Sequence, residues 1–331
     1  MFCERVNMRV PPQFCLSVCR GNPQKYQREL PTETRLKYRK PLTQKERLND
    51  ELVSVIIPLR EPDLEYLDWT IESTIDNSIG PIEFIIIYDG FKANGFSPAS
   101  KNGRELTFRW IQRDEVIGQR AAMNHAAKIA KGKYLLRLDS HCKMSPEWDA
   151  RMKASCLENR IVVPTFDHLD PESFEPEGRD AGFGRIDAKL DFYFTRPWKR
   201  FSDRMTEEET MAFSGGCWMI RKKYYEELGG SDESLGGHGN IGVEWSLKAW
   251  LTGGSVIIRT DVTCYHLFRA KLPYPINQKK REWAKKELYR RWVLGNEPTR
   301  KKPMEWLIFK FHKYTTRPML FKRRVCADAS I

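Results

Sequence analysis

Asp139-Ser140-His141 is where this chain offers chemistry. An Asp oxygen and a His nitrogen two residues apart on an extended turn can point the same way. That mixed oxygen and nitrogen pair suits a borderline divalent cation such as Mn2+, with Mg2+ as a second choice, and a nucleotide diphosphate can share such a cation. The tripeptide follows Lys133-Tyr134-Leu135-Leu136-Arg137-Leu138, an apolar run that reads as a buried strand. It therefore stands at a strand's carboxyl end, where open α/β sheets bind their ligands. Strands end in Asp-x-His often enough that the remaining sequence has to decide.

The elements needed to position such a pair are legible upstream. Val53-Ser54-Val55-Ile56-Ile57-Pro58 reads as a buried strand stopped by proline, and Leu64, Leu67, Ile71 and Ile75 recur at helical spacing up to Asn77. A second apolar strand spans Ile82 to Tyr88 and ends at Asp89-Gly90, and Leu106 to Ile111 alternates as a third. An Ala-rich helix over Gln119 to Ala130 and then Gly132 lead back to the strand before Asp139. Strands alternating with helices predict a mostly parallel, Rossmann-like sheet with helices on both faces. Beyond Pro164, a Pro/Gly/Asp-rich stretch to Gly184 predicts a surface loop over the site. Order resumes over Met211 to Ile220, with helices from Lys222 and over Glu244 to Leu251 and a strand from Ser255 to Arg259.

The chain has 331 residues, 40% of them hydrophobic, and no apolar run approaches the ~20 residues of a membrane span. Its first residues lack a signal peptide's apolar stretch, so a cytoplasmic protein is expected. The cysteines at 3, 15, 19, 142, 156, 217, 264 and 326 are scattered, which predicts reduced thiols and not a disulfide framework. Cys3, Cys15 and Cys19 lack a fourth local ligand for zinc. The net charge of +12 is uneven: residues 278–331 carry 16 Lys/Arg against 5 Asp/Glu, and residues 1–50 carry 11 against 5. The middle, 51–277, has 29 bases and 34 acids, so a mildly acidic core is flanked by basic arms. That asymmetry points to a polyanionic partner or an anionic membrane surface.

Taken in order, these pieces resemble the nucleotide-sugar glycosyltransferases of GT-A fold, and within them the polypeptide N-acetylgalactosaminyltransferase catalytic domain. The resemblance rests on the opening strand Val53 to Pro58, Glu83 to Asp89, Leu138-Asp139-Ser140-His141-Cys142, Ser214-Gly215-Gly216-Cys217-Trp218, and Tyr265-His266-Leu267-Phe268-Arg269 followed by Pro273-Tyr274. It implies a UDP-sugar donor, a divalent metal held by Asp139, His141 and His266, and a linkage that keeps the donor's α configuration. It further implies donor contacts at Pro58, Asp89, Arg120, Ser140, Gly215, Gly216, Trp218, His238, Arg269 and Tyr274, with Asp139, His141, Glu244 and Arg269 as the catalytic set. Residues 51–277 would form the catalytic domain, 1–50 an irregular extension and 278–331 a basic, aromatic-rich tail. Negative charge developing on the leaving diphosphate is what a metal and an arginine would stabilise.

This chain also departs from the family's pattern. His238-Gly239-Asn240-Ile241-Gly242 stands where the family has a Trp-Gly-Gly-Glu-Asn loop, so its acidic sugar contact falls on Ile241. Glu244 either replaces that contact or faces solvent on its helix. Tyr88 stands where the first of two acids is usual, and the basic tail is expected to replace the ricin-like lectin domain and membrane anchor of the secretory members.

Trp283, Tyr289, Trp292, Trp306, Phe309, Phe311, Tyr314 and Phe321 are interleaved with bases in the tail. Bases neutralise phosphates and aromatics stack on nucleobases. This favours DNA as the partner and acceptor, with sugar added to hydroxymethylated pyrimidines extruded from the duplex, as in virus-encoded transferases. Lys301, Lys302, Arg323 and Arg324 are its candidate contacts. The alternatives are a Ser/Thr polypeptide acceptor, a lipid or glycan acceptor at a membrane surface, an inactive nucleic-acid-binding module, and a tail that simply packs its aromatics on the core.

Overall fold

The computed structural model describes residues 41–93, 104–187, 189–195, 206–269, 271 and 273–311, with two-residue strands at Phe2–Cys3, Met8–Arg9 and Ser100–Lys101. Four runs rich in apolar side chains make the parallel half of the sheet: β1 (Val53–Leu59), β2 (Ile82–Asp89), β3 (Thr107–Arg113) and β4 (Tyr134–Leu138). All seven positions of β1 and all eight of β2 are buried, as a strand covered on both faces requires. Helix α1 (Leu67–Asp76) connects β1 to β2, and α2 (Gly118–Ile129) connects β3 to β4.

The second half follows with β5 (Cys142–Met144), α3 (Trp148–Ser155), β6 (Arg160–Leu169) and β7 (Pro176–Asp180). A separate hairpin, β8 (Phe183–Ile186) with β9 (Phe192–Thr195), precedes β10 (Glu207–Glu209), β11 (Cys217–Arg221) and α4 (Lys222–Glu227). Then come α5 (Ile241–Thr252), β12 (Ser255–His266), α6 (Gln278–Leu288) and α7 (Met304–Phe311). The main sheet runs β10-β12-β6-β11-β4-β1-β2-β3, with β7 added to β6 and β5 to β12. It is mostly parallel but mixed, because β11 runs antiparallel to both β4 and β6. Alternate residues feed two cores. Ile56, Ile85, Leu135 and Trp218 join the α2 and α5 side, whereas Val55, Phe84, Leu136 and Met219 join the α1 and α3 side.

Several boundaries differ from the sequence reading, each for a local reason. Pro58 does not stop β1: beyond Ile56 the strand pairs only with β2, so a missing N–H falls where one side of the ladder is already open. Leu64 belongs to a 3-10 turn, Glu61–Tyr66, and the α-helix starts at Leu67. Residues 165–184 are no surface loop. β6 continues through Pro164 to Leu169 and returns as β7, with the proline at a bulge where Pro164 faces Arg259 and Thr165 faces Thr263. The same bulge lets β12 run on past Arg259 to His266.

The described part of the tail, 278–311, packs on the core and is not a free arm. Ala284, Leu288, Trp292, Met304, Leu307 and Phe311 are buried against the α5 side, and Phe311 meets Trp250 edge-on at 5.4 Å. The backbone amides of Lys301 and Lys302 both donate to the Leu251 carbonyl, at 2.7 and 3.0 Å. Arg323, Arg324, Tyr314 and Phe321 lie outside the described residues, as do Cys15, Cys19 and Cys326. Cys142, Cys156, Cys217 and Cys264 are free and buried, as the scattered spacing predicted. No helix among the described residues is long and apolar enough to cross a membrane.

Candidate active site

The carboxyl ends of β4 and β12 meet at one point, and there Asp139, His141 and His266 converge. One potential ligand atom from each lies within 4.8 Å of the others. His266 Nε2 is 3.2 Å from Asp139 Oδ2, and the two imidazole centroids are 4.8 Å apart. The backbone holds this arrangement at both ends. The Asp139 amide donates to the Gly216 carbonyl at 2.9 Å, and the Leu267 amide donates to the His141 carbonyl at 3.1 Å. Thr70 of α1 donates from its hydroxyl to the Ser140 carbonyl and accepts from the Cys142 amide.

Arg137 supports the carboxylate from below. It ion-pairs with Asp139 Oδ1 at 2.7 Å, donates to the Gly216 carbonyl at 2.8 Å and reaches Gln119 at 2.9 Å. Burial pushes the Asp139 carboxyl up, but Arg137 and the two histidines outweigh it and hold the group well below the usual carboxylate range. Burial pushes His266 down, with Asp139 opposing, so its ring is neutral near pH 7 and has a lone pair to give. One anionic oxygen and two imidazole rings are a donor set that fits Mn2+. Gly216 shapes the cradle: a Cβ there would lie 3.0 Å from Asp139 Oδ2 and 3.4 Å from His266 Cδ2.

Beside the cluster lies a cavity of about 260 Å³, lined by Arg60, Asp89, Gln119, His238, Tyr274 and Arg281, among others. Arg60 sits over the Tyr274 ring at 4.9 Å, and His238 meets the same ring edge-on at 6.2 Å. Asp89 accepts from the Ile117 and Gly118 amides at 2.7 and 3.0 Å, which anchors the start of α2 at the cavity wall. Burial lowers His238 and lifts the Tyr274 hydroxyl to about 12, so both are neutral around pH 7.

Five expected contacts do not reach this surface. Pro58 is buried within β1, and Trp218 is buried against Phe213, Tyr225 and Trp245. Glu244 neither replaces the sugar contact nor faces solvent. Its carboxylate is fully buried, bound by Arg120 Nε at 2.7 Å, Lys248 at 3.0 Å and the Asp232 amide at 2.8 Å. Arg120 spends its remaining donors on the Gly236 and Gly239 carbonyls, at 2.7 and 2.9 Å. The pair is a post behind the 236–239 loop, and the unsatisfied cost of a buried charge explains why each has all its partners. Ser140 is also buried, contributing its carbonyl to the Thr70 contact. Gly215, at φ +94°, lets the chain turn against α5, where a Cβ would meet the Gly242 amide at 3.0 Å.

Sequence reasoning missed Arg137, Asp63, Arg60, Gln119 and Arg281. Arg137 carried a signal, a lone charge inside a buried apolar strand. Asp63 carried none, because its partners His141 and Arg269 come from distant segments. Burial opposes the charge on Asp63, but His141 and then Arg269 hold its carboxyl below the usual range.

A mostly parallel α/β sheet with an Asp-x-His turn, a distant histidine and an arginine at its carboxyl edge defines the GT-A class of transferase. The chain belongs to glycosyl transferase family 2, whose profile matches residues 54–229. It is 31% identical over 156 residues to probable N-acetylgalactosaminyltransferase 8 of Caenorhabditis elegans, covering 45% of this chain and 37% of that protein. Against human polypeptide N-acetylgalactosaminyltransferase 13 it is 29% identical over 240 residues, covering 68% of this chain and 43% of the relative. The chain thus spans less than half the length of these curated relatives. The crystal structure of GalNAc-T7 with UDP, GalNAc and Mn2+ superposes with a TM-score of 0.61 at 19% identity, covering 92% of this chain and 66% of that one. That likeness establishes the fold.

Proposed function

We propose that this chain is a metal-dependent, retaining glycosyltransferase that moves N-acetylgalactosamine from its UDP donor to a Ser or Thr hydroxyl of a protein. The observation that carries the reading is the convergence of Asp139, His141 and His266, with Arg269 held nearby on Asp63, whose other oxygen lies 3.6 Å from His141 Nδ1. A bound cation would supply neutralisation of the charge that develops on the leaving diphosphate. Around it, Arg137 keeps Asp139 ionised, while Arg60 on the cavity wall and Arg269 on Asp63 would offer positive charge to the phosphates. The glycines at 215 and 216 leave room for backbone to approach the sugar.

Relatives named as N-acetylgalactosaminyltransferases, and a superposable structure holding UDP, GalNAc and Mn2+, support both the donor and the protein acceptor. The DNA acceptor rested on a tail whose aromatics would stack on bases. Trp292 and Phe311 are instead buried in the core and Trp306 packs beside Trp250, whereas Trp283 and Phe309 stay exposed; the stacking case is reduced to those two described aromatics, and the names of the relatives move protein to first place. Incubation with UDP-GalNAc, Mn2+ and a Ser/Thr-rich peptide should add one N-acetylhexosamine to the peptide by mass spectrometry. Sugar on hydroxymethylated DNA and none on peptides would reverse the ranking.

A further inference from the structure

Asp63 stands at the foot of the cleft on the 3-10 turn after β1, with Pro62 in the first positions of that turn and only 4% of Asp63 exposed. Its two oxygens face two different functional groups. Oδ1 accepts from Arg269 Nη1, and Oδ2 lies 3.6 Å from His141 Nδ1. Arg269 is gripped from a second side by the Tyr66 ring, 5.1 Å from its guanidinium carbon. His141 Nδ1 is buried and has no hydrogen-bond partner, so Asp63 is the acceptor its proton would turn to.

A histidine that gives one ring nitrogen to a metal keeps its proton on the other, and the acceptor for that proton fixes tautomer and ring orientation. We propose that Asp63 is a positioning residue of the metal site, selecting the Nδ1–H tautomer of His141 so that Nε2 is free for the cation, while parking Arg269 on the same carboxylate until a diphosphate takes it. This rests on the metal-dependent reading above. One carboxylate then serves both halves of the site. When the cation draws on Nε2, the Nδ1 proton becomes a better donor to Asp63, and the hold on Arg269 loosens.

The test uses Asp63→Asn, which keeps the side-chain shape and an oxygen for Arg269 but presents no second acceptor to His141. Mn2+ binding, followed by electron paramagnetic resonance without nucleotide, should weaken about 10–100-fold. UDP binding without metal, measured by calorimetry, should hold or tighten, because Arg269 has lost an anionic competitor. A carboxylate that merely braced its turn would lower both affinities together or neither. Unchanged Mn2+ affinity, or a joint fall of both, overturns the proposal. Wild-type protein that binds no Mn2+ would instead take down the metal-dependent reading itself. Should Asp63→Asn not fold, ¹⁵N NMR of the wild-type histidines with saturating Mg2+ answers the question: His141 protonated on Nδ1 supports the assignment, and on Nε2 overturns it.

Discussion

Glu244→Ala separates a carboxylate that touches the donor from one that holds the wall of the cleft. The Glu244 and Arg120 side chains are 0% and 1% exposed, and their 2.7 Å contact is closed off from water. Deleting the carboxylate strands the Arg120 charge in the interior, takes a partner from Lys248 and leaves the Asp232 amide unpaired. Breaking one side of a buried ion pair costs about 3–5 kcal/mol, which is roughly two to four decades in the folding constant. Urea unfolding followed by tryptophan fluorescence should show that loss. Donor turnover should fall because the 236–239 loop, hung from Arg120 by two carbonyls, loses its post. A Glu244→Ala protein as stable as wild type but unable to turn over donor would refute this reasoning and return Glu244 to the sugar.

Three further expectations probe other parts of the molecule. Gly216→Ala places a methyl 3.0 Å from Asp139 Oδ2, so the ligand must shift by a few tenths of an ångström; activity should drop sharply with little change in melting temperature, and full activity would contradict the cradle. Trp292→Ala should destabilise by about 3–5 kcal/mol through lost packing, whereas Lys301→Ala with Lys302→Ala should leave peptide transfer intact; a salt-dependent DNA affinity lost in the double variant would revive the nucleic-acid reading. Burial pushes the Glu208 carboxyl up from 4.5 to about 7 against the pull of Arg185, so the folded state keeps a proton that the unfolded state has lost. Stability should therefore fall as pH rises from about 4.5 to 7, and Glu208→Gln should match wild type below that window and exceed it above; parallel stability curves would contradict it.

How much of this was written in the sequence depends on range. The buried strands around Ile56, Ile86 and Leu136 were legible because two-sided burial demands continuous apolar runs. Asp139-Ser140-His141 was legible because it directly follows one of them. The prolines misled: Pro58 and Pro164 read as stops, but each stands where a ladder is already open or bulged, which no local pattern announces. Glu244 read as a helix-surface acid near the donor, since nothing in its neighbourhood reveals Arg120, 124 positions earlier, as its partner. Asp63 was invisible for the same reason, its contacts being made by His141 and Arg269. The basic tail was legible as charge, but the burial of Trp292 and Phe311 beneath it was not.

The most direct measurement is release of UDP from UDP-GalNAc by purified protein, with Mn2+, with EDTA, and with Mn2+ restored after EDTA. The account predicts turnover with Mn2+, loss in EDTA and recovery on restoration, with Asp139→Asn and His266→Ala inactive throughout though folded. Turnover in EDTA as fast as with Mn2+, or undiminished in either variant, would contradict it.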